Sequence, residues 1–255
     1  MPVVLYEKKN KIAYITLNRP EKRNAMNLEL VEELKTIWTD FRDDENLWAA
    51  ILSGAGEAFC AGVDILRSKD SLDPVTGERR ALALEATPTV YNVWKPIIAA
   101  LHGYVLGGGW WLALNCDIRI AAENTLFGIP EGRWGRPITF ALPLLREIPT
   151  TIAREVLLTG NTITAQRAYQ LSLVNEVVPC GQIIKQASDW AERICEISPL
   201  LTRVTKKAIQ LGRDLNSSDM MTLSKSLFEP LRKTNDFEEG RKAFAEKRKP
   251  QWKAK

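Results

Sequence analysis

Three consecutive glycines, Gly107-Gly108-Gly109, separate an apolar run suited to a buried strand, Ile97 to Leu101, from a helix-forming stretch, Trp110-Trp111-Leu112-Ala113-Leu114. No other feature of the chain constrains its fold as much. Glycine can take φ > 0 and let the backbone approach a ligand, and a helix starting here leaves its first N–H groups without intrahelical partners. Reinforced by the helix dipole, those donors suit a carbonyl oxygen that gains negative charge. A second glycine-containing segment, Ala58 to Ile65, is a source for another donor. On its own, a turn of this kind serves close strand-to-helix packing as readily as ligand binding.

The rest of the chain reads as an α/β protein. At 255 residues and 45% apolar composition it can bury a substantial core. Val3 to Tyr6 and Ile12 to Leu17 alternate like strands, without the basic-then-apolar layout of a signal peptide, so a cytoplasmic protein is expected. Four cysteines (Cys60, Cys116, Cys180, Cys195) lack metal-like spacing and fit reduced thiols. With a single histidine, the sequence argues against a Cys/His metal site or a histidine-based triad, and no metal or redox cofactor is expected. The uncharged stretch from Ile97 to Leu114 has the length of a short membrane span. Its glycines, His102 and midway change of character identify it instead as buried core.

Leu30, Leu34, Ile37 and Phe41 recur at helical spacing and predict an amphipathic helix over 28–42, followed by a buried strand from Ala49 to Leu52. Strand, helix and strand in alternation suggest right-handed crossovers with ligands gathering at strand ends. The charged segment Arg67 to Arg80, with Pro74 and Gly77, reads as a loop, and Ala81 to Trp94 as a helix covering the site. Beyond residue 145 the text turns helical. Thr164 is a candidate N-cap for Ala165 to Leu171, and helical periodicity continues over 183–197, 200–212 and 220–231.

The formal charge of +4 is modest, and basic residues collect near the end: Arg241, Lys242, Lys247, Arg248, Lys249, Lys253 and Lys255. Interspersed Asp236, Glu238, Glu239 and Glu246 favour a solvated tail or a compact phosphate contact over an extended nucleic-acid surface.

Several separated motifs, in order, resemble the enoyl-CoA hydratase/isomerase (crotonase) superfamily: NRPEKRNAMN at 18–27, AFCAGVDI at 58–65, GYVLGGGWWLALNCDIRIAAENTLFGIPE at 103–131, LTGNTITAQRAYQLSLVNEVVP at 158–179 and FAEKRKPQW at 244–252. The resemblance implies a spiral core of ββα repeats, here residues 1–195, and a helical C-terminal region, 196–255, that forms trimers, often paired into hexamers. It implies an acyl-CoA thioester as substrate, with coenzyme A entering as part of that substrate. The thioester oxygen would meet the backbone N–H groups of Val63 and Gly108. Coenzyme A recognition would fall to Arg23, Asn24, Ala25, Ala61, Asp64 and Ile65, with Phe244 and Lys247 near the C-terminus.

Hydratases of this family use two glutamates. One corresponds to Glu131, in Phe127-Gly128-Ile129-Pro130-Glu131, and Trp111 occupies the position of the other. An indole only donates hydrogen bonds, so it cannot share acid–base work with Glu131. The small residues that usually follow the glutamate loop are replaced by Gly135-Arg136-Pro137-Ile138-Thr139-Phe140, and Trp111, Trp134, Thr139 and Phe140 are expected around the acyl group. Phe127, Ile129, Pro130 and Trp134 should desolvate Glu131 and raise its pKa. The functions left open are double-bond isomerisation with Glu131 as sole proton shuttle, hydration or hydrolysis of an unusual acyl-CoA, cyclic ones included, and a catalytically reduced acyl-CoA-binding or RNA-binding protein.

Overall fold

The computed structural model describes residues 2–65 and 81–255. The loop read at 67–80 lies outside them, save that its neighbour Ala81 opens the next described segment.

The chain starts with an antiparallel hairpin, β1 (Val4–Lys9) and β2 (Ile12–Leu17). It then adds parallel strands β3 (Ala49–Gly54), β4 (Ile97–Leu101), β6 (Ile118–Ala122) and β9 (Glu176–Val178), giving the order β1-β2-β3-β4-β6-β9. The central strands are apolar on both faces, as expected of a parallel sheet covered on both sides. Ile15 and Leu17, Ala50 and Leu52, and Ile97, Ala99 and Leu101 join the main core, which also takes the buried stripe of helix α1 (Leu28–Asp43). Their alternating neighbours Ile12, Ala49, Ile51, Ile98 and Ala100 face helix α6 (Ile183–Cys195) through Ile183, Ala187 and Ala191.

A second layer repeats the first with an offset. Strands β5 (Tyr104–Leu106), β7 (Leu126–Gly128) and β8 (Ile163–Thr164) form a small sheet, β5 and β7 parallel. Single bridges extend the same progression: Cys60 pairs with Val105, and Met26 with Val63. Each repeat thus leaves the large sheet, crosses the small layer and returns, which stacks segments 23–26, 60–64, 104–108 and 126–131 side by side. Helix α3 (Gly108–Leu114) leaves this stack directly from the glycine run. Helices α4 (Thr150–Thr159) and α5 (Ala165–Gln170) follow, the latter capped by the Thr164 side chain accepting from Arg167 N–H. The chain ends in α7 (Pro199–Gly212), α8 (Ser217–Phe228) and α9 (Asn235–Ala245).

Two expectations are corrected. The helix expected over 81–94 is only α2 (Leu82–Glu85) followed by a 3-10 turn over Pro88–Tyr91. Pro88 has no N–H to continue a helix and holds Thr87 extended, at ψ 143°. The helix expected over 220–231 begins earlier, at Ser217, where the Asn216 side chain accepts from Asp219 N–H, and stops at Phe228 before Pro230.

Candidate functional site

Hydrogen bonding between neighbouring repeats determines which backbone groups remain free. Ala61 N–H donates to Arg23 O, Met26 N–H to Gly62 O, and Asp64 N–H to Met26 O, each at 2.8–2.9 Å. With Gly62 O and Asp64 N–H directed at Met26, the intervening Val63 N–H points the other way and has no acceptor among the described residues. Gly108 is the first residue of α3, so its N–H has no intrahelical partner, and none is found elsewhere among the described residues. The segments touch at this point. A Cβ on Gly62 would lie 3.5 Å from the Gly108 nitrogen, and a Cβ on Gly108 would lie 3.2 Å from Val63 Cγ2. Met26 and Ala83 complete the contact around Gly108, at 2.7 and 3.1 Å from that Cβ position.

Gly107 shapes the other wall. It is the N-cap of α3 at φ 51° and ψ −122°, a conformation open essentially to glycine alone, and its N–H donates to Gly128 O at 2.8 Å. That bond ties the glycine run to the strand leading into Glu131. A Cβ on Gly107 would lie 1.9 Å from Glu131 Oε1, so the carboxylate lies against bare backbone one residue from the Gly108 N–H. Glu131 is half-buried in the 3-10 turn Pro130–Trp134, and its Oε2 is buried without a hydrogen-bond partner. Burial raises the Glu131 pKa, opposed by a backbone hydrogen bond and by the charge of Arg136. Phe127 and Ile129 are buried beside it, whereas Trp134 is 66% exposed and gives little of the desolvation expected of it.

Trp111 is half-buried on the turn of α3 above Gly107, with its N–H bonded to Gly107 O at 3.1 Å. Its indole Nε1–H is buried and unpartnered. Trp110 is fully buried as a core aromatic, its ring 5.6 Å from that of Phe127. Phe140 packs half-buried against the main core; Thr139 opens the 3-10 segment Thr139–Arg146.

The residues expected around coenzyme A separate into framework and surface. Asn24 is fully buried: its side chain donates to Ala55 O and Ala58 O and accepts from Arg19 N–H, so it braces the loop and presents no side chain to a ligand. Asp64 is paired with Arg19 at 3.3 Å, and Arg19 also donates to Ala25 O. This buried brace has no local signal, because its members lie 45 positions apart. Arg23 stacks over the Tyr104 ring at 5.0 Å, and Ile65 is exposed. Phe244, 88% exposed, edges a groove between α7 and α9 with Leu201, Leu231, Phe237 and Trp252, and Lys247 follows it at the end of α9. The Cys60 thiol donates to Asn24 O at 3.1 Å, and burial pushes its pKa up to about 12, which suits packing rather than reactivity. Among the described residues, no group of three His, Cys, Asp or Glu is placed to hold a metal ion, and no helix is long and apolar enough to cross a membrane.

A repeat-built α/β spiral with its site at the junction of successive repeats is the architecture of crotonase-type enzymes. The Enoyl-CoA hydratase/isomerase family model matches residues 7–255, and the chain belongs to that family. It is 40% identical over 255 residues to (E)-benzylidenesuccinyl-CoA hydratase of Thauera aromatica, covering 98% of both chains. It is 39% identical over 246 residues to mevalonyl-coenzyme A hydratase of Aspergillus fumigatus, covering 94% of this chain and 91% of that one. Among solved structures, an enoyl-CoA hydratase from Mycobacterium tuberculosis H37Rv superposes with a TM-score of 0.91 at 35% identity over 100% of both chains. Another, from Bacillus anthracis, gives 0.92 at 33% identity over 99% of this chain and 100% of that one. The protein is thus an acyl-CoA enzyme of the hydratase/isomerase type.

Proposed function

We propose that this enzyme stabilises the enolate of a coenzyme A thioester between the Val63 and Gly108 N–H groups, with Glu131 moving the proton at the α-carbon. The observation carrying this reading is the contact of the Glu131 carboxyl with Gly107, which puts a desolvated acid–base group, its Oε2 unpartnered, next to two N–H donors without partners among the described residues. Two backbone donors aimed at developing negative charge each contribute about 3 kcal/mol to the transition state. A carboxyl group whose pKa is raised toward neutrality can both accept and return a proton. Trp111 and Phe140 bound the acyl end. The coenzyme A chain runs past Arg23, Ala25, Ala61, Asp64 and Ile65 toward a surface that includes Phe244 and Lys247. No cofactor beyond the thioester's own coenzyme A is needed.

Hydration is favoured over isomerisation by the relatives, both named as hydratases of substituted acyl-CoAs. The basic C-terminus supports a small-ligand contact rather than nucleic acid, since Arg248 pairs with Glu239 and Glu246, Lys249 with Glu196, and Arg241 with Glu238. Four free cysteines, two of them buried, support a reducing, cytoplasmic setting.

The test is α-deuterium incorporation into butyryl-CoA in D₂O. Wild type should exchange the α-proton, and Glu131→Gln should slow exchange about 10²- to 10⁴-fold while butyryl-CoA still binds. Below the raised Glu131 pKa the base is protonated, so the wild-type rate should fall as pH falls through an apparent pKa above the ordinary glutamate value of about 4.3. Undiminished exchange by Glu131→Gln would refute the assignment.

A further inference from the structure

The site contains two buried polar atoms with opposite needs. Trp111 Nε1–H is a donor without an acceptor, and Glu131 Oε2 is an acceptor without a donor. Both residues, from different elements, meet Gly107: Trp111 of α3 is bonded through its N–H to Gly107 O, and the Glu131 carboxyl of the 3-10 turn presses on Gly107. Trp111 stands four residues after Gly107, where side chains return to the same face of a helix. Trp110 also has an unpartnered Nε1–H, but its ring is fully enclosed against Phe127, while Trp111 remains half-buried. Leaving such atoms buried and unpaired is costly unless something pairs with them.

We propose that Trp111 Nε1–H and Glu131 Oε2 together hold the water that adds to the substrate. A water oxygen accepts from the indole and donates to the carboxylate, satisfying both orphans with one molecule. The inference rests on the reading of Glu131 as the proton shuttle and makes that shuttle a hydratase with one carboxylate. Water gives its proton to Glu131 as its oxygen bonds to the β-carbon of a 2-enoyl-CoA. The electron pair of the carbon–carbon double bond moves to the thioester oxygen between Val63 and Gly108. The enolate then collapses, and its α-carbon takes the same proton back from Glu131. Net addition is one water, with both new bonds formed on the Glu131 face. Trp111 acts only by donation, because an indole has no lone pair with which to take the proton.

The experiment pairs two readouts on wild type and Trp111→Phe: hydration of crotonyl-CoA and cinnamoyl-CoA, and α-deuterium exchange of butyryl-CoA. Phenylalanine keeps an aromatic ring but removes the donor. Hydration by Trp111→Phe should drop about tenfold or more in kcat with little change in KM, as for a lost transition-state hydrogen bond. Butyryl-CoA exchange needs no water addition, so it should fall much less than hydration does, and a thermal melt matching wild type certifies the fold. Equal hydration by variant and wild type would overturn the proposal, as would loss of both readouts together, which would assign Trp111 to acyl positioning. Wild type that exchanges butyryl-CoA but hydrates neither enoyl-CoA would overturn it while leaving the proton shuttle intact. Exchange that survives Glu131→Gln would instead bring down the shuttle itself.

Discussion

At the residue scale, Gly107 matters more to the chemistry than its lack of a side chain suggests. Its φ of 51° with ψ of −122° is inaccessible to other residues without strain, and the room a Cβ would occupy belongs to Glu131 Oε1, 1.9 Å away. Gly107→Ala therefore meets two penalties. Backbone strain should lower stability by about 1–3 kcal/mol, and the carboxyl must move away from the Gly108 N–H. Because catalysis depends on sub-ångström placement, kcat should fall about 100-fold or more, with much less change in thioester affinity. Steady-state kinetics beside a thermal melt would check this, and an alanine variant with wild-type kcat would show that Glu131 is not positioned by this contact. The glycine run and Glu131 were legible in the sequence because they lie in continuous motifs. Met26, which closes around Gly108, was not, since it reaches that glycine through the stacking of repeats, whereas Ala83, on the other side, lies in the stretch read as covering the site. For Asn24, sequence names the loop but does not reveal that its side-chain amide is spent bracing Ala55 O and Ala58 O, which leaves only its backbone for a ligand.

At the scale of elements, strands were the most legible part. Ile12 to Leu17 and Ile97 to Leu101 form as read, since each is a short apolar run and the sheet buries both its faces. Helix α1 also forms as read apart from one added residue, Asp43, at its end, because its buried stripe follows a 3.6-residue period. Prolines defeated the periodic reading at 81–94 and 220–231, where Pro88 and Pro230 outweigh apolar spacing. How α1 ends could not be read at all. Its last turn is closed by Lys95, from just before β4, whose buried Nζ donates to Phe41 O at 2.7 Å and Asp44 O at 2.6 Å. Burial, with the nearby charge of Arg203, lowers the Lys95 pKa to about 8. Lys95→Met would keep the stem's packing and orphan two carbonyls, so it should destabilise the fold by about 1–3 kcal/mol at pH 7. The pH dependence has a definite sign. A lysine with a depressed folded pKa binds fewer protons folded than unfolded between pH about 8 and its unfolded value of about 10.4. The stability of wild type relative to Lys95→Met should therefore rise over that interval and shrink again as pH falls through 8. Urea unfolding of both proteins at pH 7 and 10 measures it, and a constant difference would show that Lys95 titrates normally.

At the scale of the whole molecule, the C-terminal helices leave apolar surface that the protomer does not cover. Ile209 and Met221 are 69% and 60% exposed, and a groove of about 450 Å³ between α7 and α8 is lined by Ala208, Ile209, Met220, Leu223 and Phe228. Phe244 and Leu201 edge a second groove of about 500 Å³. Contiguous apolar surface of this kind marks association sites more often than free surface. The family resemblance raises the expectation, which sequence periodicity did not, that this region meets other copies of the chain as a trimer or a pair of trimers. Light scattering on the eluted protein should then give three or six times the protomer mass. Ile209→Glu together with Met221→Glu, which would bury two unpaired carboxylates in such an interface, should shift the mass toward one protomer while far-UV dichroism stays unchanged. If Phe244 and Lys247 reach coenzyme A across that interface, the dissociated variant should also lose thioester affinity and keep its Glu131-dependent exchange at saturating butyryl-CoA. Wild type eluting as a single protomer with full activity would exclude an obligate assembly, and the whole site would then have to be built from one chain.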